Sequence, residues 1–249
     1  MIKSGNPALS TTVFENAGKV VVGNAMTVSG TVNKTALALL LCLAAASWTW
    51  NLFFNSAGNP QAIIGWMWVG LIGGFIVALV TIFKRVWAPI TTPIYAVLEG
   101  FALGGISSIF ETQYPGIVIQ AIGLTFGTLG ALLLAYKSGL IKVTENFKLG
   151  VFAATGGIAI VYLVDIVLGF FGIRMPMIHS SGWLGIGFSV FVVIIASLNL
   201  VMDFDFIEHG AESGAPKYME WYGAFGLMVT LVWLYLEILR LLSKLNSRR

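Results

Sequence analysis

The sequence predicts an all-α membrane protein, a bundle of seven transmembrane helices. Composition is the first reason: of 249 residues 57% are hydrophobic and only 10% charged, with mean hydropathy +0.89, a balance unsuited to a soluble core wrapped in a polar surface. The second is length. Apolar windows of about 19 residues, each able to cross the hydrocarbon of a bilayer, follow one another almost without interruption. They fall near 35–54, 61–83, 90–110, 116–136, 149–171, 182–207 and 218–242.

The breaks between them carry turn-forming residues: Asn55 to Pro60, Ala88-Pro89, Tyr114-Pro115-Gly116, Lys137 to Gly139, Met175-Pro176 and Gly210 to Pro216. None is long enough to hold an extramembrane domain. The chain therefore divides into a polar N-terminal tail (1–34), a seven-helix transmembrane domain (35–245) and a basic C-terminal end (246–249).

Charge sets orientation and excludes some partners. A net charge of +3, dispersed over loops, is too small for a nucleic-acid surface, and the partner it implies is the lipid bilayer. Lys3, Lys19 and Lys34 lie in the tail, Lys84 and Arg85 in the second loop, Lys137, Lys142 and Lys148 in the fourth, and Lys217 in the sixth. The opposite loops receive only Arg174. Positive residues favour the cytoplasmic side, so the N-terminus is expected inside. Seven crossings then leave Arg240, Lys244, Arg248 and Arg249 on the far side: either that end is a tolerated exception to the trend, the favoured reading, or the seventh helix is re-entrant. The lone Cys42 sits in the first apolar run and excludes an internal disulfide.

Small residues spaced four apart, Gly70 with Gly74, Gly100 with Gly104 and Gly123 with Gly127, allow helix backbones to approach closely. They are expected to report tight packing inside one bundle, making the protein a monomer or weak homo-oligomer. Trp48, Trp50, Trp66, Trp68, Trp87, Trp183, Trp221 and Tyr222 read as interfacial belts.

The acidic residues are the functional signal. Glu99, Asp165 and Glu237 lie within apolar spans, and Asp203 and Asp205 near the end of one. A carboxylate at the centre of a membrane helix costs roughly 2.5 to 3.5 kcal/mol on insertion scales, so each must be protonated, hydrogen-bonded or beside a cation or water. The basic residues lie outside the apolar centres, and no buried Lys or Arg is expected as a fixed partner. Asp203 and Asp205 are about 200° apart around a helix, so they face different ways. Asn199, one turn before Asp203, makes an inward polar pair with it, whereas Asp205 aligns with Glu208 and His209 towards cytoplasmic water. Glu99 belongs to a polar stripe with Tyr95 and Ser107. A plainer alternative has Glu237 paired with Arg240 near the membrane edge and Glu99 capping a neighbouring helix.

Three segments together resemble the Bax inhibitor-1 (transmembrane Bax inhibitor motif) family: 93–105 (Pro-Ile-Tyr-Ala-Val-Leu-Glu-Gly-Phe-Ala-Leu-Gly-Gly), 197–205 (Ser-Leu-Asn-Leu-Val-Met-Asp-Phe-Asp) and 234–242 (Leu-Tyr-Leu-Glu-Ile-Leu-Arg-Leu-Leu). The stretch from Asp203 to Leu242 is similar to the family's bacterial Bax inhibitor-1-like branch. The resemblance implies a bundle with the last helix central, a place in the inner membrane of a bacterial cell, and a pH-sensitive calcium leak. It further implies a sensor of two aspartates on the last two helices, which hydrogen-bond when protonated and close the pore. Asp203 or Asp205 matches the first. Thr230 stands where the family has the second, so the pair is not reproduced. Glu237, seven residues and about 10.5 Å further along the helix, and Glu99 are the substitute partners. Arg85 matches the basic residue that latches the acidic pair, and Asp203 with Glu237 would ligate calcium in transit.

The leading expectation is a proton-gated cation pathway for calcium, with Asp203 as gate. The alternatives are a proton-coupled transporter of a small solute, and a non-transporting membrane partner that modulates a protease or a stress response. An enzyme is not expected, because Ser107 and Ser108 have no buried histidine and no zinc, phosphate or cofactor motif is present. No resident cofactor is therefore expected, calcium entering only as a permeating ion.

Overall fold

A computed structural model describes residues 25–173 and 175–248; the tail before Ala25, with Lys3 and Lys19, and also Arg174 and Arg249, lie outside the described residues. Among the described residues, seven helices are long and apolar enough to cross a membrane. They are α1 (Val28–Asn55), α2 (Gln61–Phe83), α3 (Ala88–Gln113), α4 (Ile117–Lys137), α5 (Glu145–Phe170), α6 (Trp183–Glu212) and α7 (Met219–Asn246). A 3-10 turn, Arg85–Trp87, leads into α3, and a short helix, Pro176–His179, precedes α6. Apart from an isolated bridge between Ala25 and Pro216, the described residues form no strand.

Several helices outrun their apolar windows because capping, not hydropathy, decides where they start. Helix α1 begins at Val28, inside the polar stretch before Thr35, where the Thr27 side chain accepts from the Gly30 amide at 3.0 Å. Helix α5 begins at Glu145, where Thr144 accepts from the Phe147 amide at 3.3 Å. That cap puts Lys148 in the first turn of a helix, not in a loop.

Burial differs sharply among the spans. Only 11% of the most apolar window of α5 is buried, and apolar side chains such as Phe83, Leu134 and Phe170 stand exposed, as a hydrocarbon solvent allows. Helix α7 is the most enclosed of the seven, at 61%.

The chain forms two compact units. One comprises the described chain up to Pro115 together with Ile207–Val229. In it α1 and α2 both pack on α3. A Cβ on Gly70 would come within 2.5 Å of the Leu98 carbonyl of α3, and one on Gly104 would overlap Thr49 and Ala46 of α1, so only glycine permits these approaches. The opening turns of α7 close this unit. Tyr222 is fully buried, not interfacial, and Phe225 meets the Tyr95 ring edge-on at 5.1 Å. Beside them the buried Glu220 carboxylate accepts from the Thr27 amide (2.9 Å) and hydroxyl (2.8 Å) and pairs with Lys217 (2.8 Å) and Lys34.

The second unit comprises Gly116–Phe206 and Thr230–Arg249. Its core is Ile158, Val192 and Ile195, flanked by Tyr162, Phe188, Leu198 and Trp233. Here a methyl group added to Gly123 or Gly127 would meet nothing within 4 Å, so this pair is not a packing face within the chain.

Candidate functional site

Four of the five membrane acids, Asp165, Asp203, Asp205 and Glu237, fall in the second unit. Glu99 and Arg85 belong to the first. Glu99 shares a hydrogen bond with Tyr95, one turn earlier on α3, and lies against Gly74 of α2, so it does not cap a neighbouring helix end. Arg85 lies with its guanidinium 5.8 Å from the centre of the Tyr222 ring.

Asp203 is wholly buried, at 0% exposure, within a stretch of α6 where Leu200, Val201 and Met202 are buried too. Asn199, one turn earlier and also buried, donates both amide protons, to Thr155 Oγ1 of α5 and to the Ile195 carbonyl, each at 2.8 Å. Asn199 and Asp203 are therefore both turned inward, and the Asn199 amide is tied to a second helix. Thr230, where the resembling family carries an aspartate, is buried on α7.

The structure corrects the expectation that no buried base is available. Lys148 is nearly enclosed, and its Nζ lies 3.0 Å from Asp205 Oδ2 and 3.6 Å from Glu145 Oε1. Asp205 thus meets an ammonium on α5, not simply cytoplasmic water. Desolvating two opposite charges is tolerable only when they compensate each other at contact distance, which this geometry provides. The Thr144 cap and the acidic first turn of α5 were the available sequence signals that Lys148 is helical; nothing local signalled its partner 57 positions on.

Glu237 has a base as well, in the arrangement the plainer sequence alternative described. Its Oε1 accepts from the Tyr162 hydroxyl of α5 at 2.8 Å, and Arg240 Nη1 donates to Oε1 and Oε2 at 2.9 and 3.0 Å. The same nitrogen donates to the Tyr162 oxygen at 2.7 Å, and the guanidinium lies 5.3 Å from the Tyr162 ring centre. The Glu237 side chain is 3% exposed and that of Arg240 38%. One turn further, the buried Lys244 donates to the Gly185 carbonyl (2.9 Å) and Ser189 Oγ (2.8 Å) of α6. Tyr162 and Lys244 are site residues the sequence did not single out.

Asp165 lies near the end of α5, where it accepts from the Met175 amide at 3.2 Å and sits 2.8 Å from His179 Nε2. It pins the following loop. Its partner His179 ends the short helix Pro176–His179. Among the described residues no group of three or more His, Cys, Asp and Glu side chains converges as a metal cage.

The second unit thus carries ionisable side chains at successive depths: Lys148 with Asp205, then Asp203 beside Asn199, then Glu237 with Arg240 and Tyr162. Fixed charges and titratable groups spaced through a membrane-spanning bundle are the components of an ion or proton route. No curated protein matches the sequence. A family model described as Bax inhibitor 1 like matches residues 6–247, nearly the whole chain, and the protein belongs to that family.

Proposed function

We propose that the protein is a pH-sensitive cation leak, with calcium the permeating ion and Asp203 its proton-operated gate, in a bacterial inner membrane with the N-terminus in the cytoplasm. The observation that supports this best is the complete burial of Asp203 one turn from Asn199. Both amide protons of Asn199 are committed to Thr155 and Ile195, so this amide can only accept from Asp203, and only a protonated Asp203 can donate to it. Protonated, Asp203 suits a closed, apolar α6. Deprotonated, its oxygens are hard ligands of the kind calcium takes.

In this reading Asp205 and Lys148 form the charged entrance at the α5 start. Glu237 becomes a calcium ligand only when Arg240 withdraws, and Glu99 serves the packing of α3. The chain is not an enzyme and holds no resident cofactor. It works in the bilayer as a monomer or weak homo-oligomer.

The test is calcium flux into liposomes containing the purified protein at mildly acidic, neutral and mildly basic pH. Leak through the wild type is expected to rise with pH, by up to about tenfold per pH unit where one carboxyl controls it. Asp203→Asn, which cannot ionise, removes the pH dependence. No leak at any pH, or an unaltered pH profile in Asp203→Asn, sinks the proposal.

A further inference from the structure

We propose that Arg240 is a tethered cation that occupies Glu237 and thereby limits cation passage through the unit of Gly116–Phe206 and Thr230–Arg249, with Tyr162 as its positioning residue. The inference rests on the leak reading above and adds to it the residue that sets the ion's charge discrimination.

Glu237 is the carboxylate that α7 contributes to this unit, and its oxygens are those a passing cation would seek. They are already engaged. Arg240 Nη1 bridges both of them and the Tyr162 oxygen, while the Tyr162 hydroxyl donates to Oε1. The ring of Tyr162 lies against the guanidinium, so the cation is fixed from two directions. Arg240 is also the accessible member of the set, its side chain far more exposed than those of Glu237 and Lys244. A guanidinium is not left facing hydrocarbon, and Arg240 lies six residues, about 9 Å along the axis, before Asn246; its exposed flank therefore marks water at this end of the helix.

Arg240 and Lys244 supply two positive charges here, facing the carboxylates of Glu237 and Asp165. Removing Arg240 makes the net charge of this group more negative by one and uncovers a buried carboxylate. The electrostatic work of bringing an ion past such a group scales with the ion's charge. The effect on flux must therefore depend on valence and sign, unlike the effect of a loosened helix.

The experiment measures calcium, potassium and chloride flux through wild type, Arg240→Gln and Arg240→Lys in liposomes at one pH. If Arg240→Gln speeds potassium about threefold, it should speed calcium about tenfold, roughly the square, and slow chloride about threefold. Arg240→Lys keeps the charge and should stay near wild type, and Arg240→Gln/Glu237→Gln should return calcium flux towards it. Should Arg240→Gln not fold, Tyr162→Phe, which removes only the positioning hydroxyl, is expected to raise calcium flux more than potassium flux. Unchanged flux, or equal acceleration of all three ions, overturns the role of Arg240 while leaving a leaking wild type in place. Absence of flux in wild type and all variants overturns both readings.

Discussion

The two units of this chain hold their helices together by the same two means in different proportion, the first also carrying polar links such as Glu220 with Thr27 and Lys34. In the unit of α1–α3 and Ile207–Val229, glycines are contact points: Gly70 and Gly104 each bring a backbone against a neighbouring helix so closely that a methyl group has no room. In the other unit Gly123, Gly127, Gly156 and Gly157 meet nothing within 4 Å of a methyl position, and polar side chains link its helices: Lys148 with Asp205, Thr155 with Asn199, Tyr162 with Glu237, Lys244 with Ser189. Lipid gives helices no hydrophobic reason to associate, so close backbone packing and interhelical polar bonds are the two available substitutes. Ionisable bonds can be broken by a proton or a cation, and the candidate site lies in the unit that holds four of the five acids within the spans.

The largest effect expected from this contrast is at glycine. Gly104→Val should destabilise the protein by about 3 kcal/mol or more, because added methyl groups would be forced into Thr49 and Ala46. Gly127→Ala, with open space around it, should be neutral or stabilising by up to about 1 kcal/mol through helix propensity. Thermal unfolding of both variants in the same detergent checks this, and equal losses would dissolve the distinction between the units.

Lys148→Gln comes next. It leaves the half-enclosed Asp205 without its ammonium and should cost about 3 kcal/mol, at the lower end for a broken buried pair. Lys148→Gln/Asp205→Asn should recover most of that loss. A double variant no better than the single one would show that Lys148 acts by packing alone. The smallest effect is at the start of α1, where Thr27→Ala removes the cap of Gly30 and one hydrogen bond to Glu220 and should lower stability by about 1 to 2 kcal/mol. A melting temperature unchanged from wild type would mean that the remaining contacts of Glu220 hold this end unaided.

Much of the fold was legible because hydropathy is a sum over twenty residues, and such sums survive local irregularity. All seven windows became helices, with ends displaced where Thr27 and Thr144 cap them. The Glu237–Arg240 pair was readable too, since residues three apart share a helix face. Tyr162 was not, because its hydroxyl reaches Glu237 across 75 positions of chain. The expectation that charged bases stay outside the apolar core failed for the same reason. Lys148 and Lys244 lie near helix ends in sequence, yet bonds to distant residues enclose them.

The sequence by itself determined a seven-helix membrane bundle, the family, and which acidic side chains lie within its spans, because these depend on composition, window length and motif. Only the tertiary structure decided which of those acids meets a base. Asp205 meets Lys148, Glu237 meets Arg240 under the Tyr162 hydroxyl, and Asp165 meets His179, while Asp203 is buried beside an amide whose protons are already taken. The energy of a charge in a membrane depends on the atoms within a few ångströms of it, and helices distant in sequence supply most of those atoms.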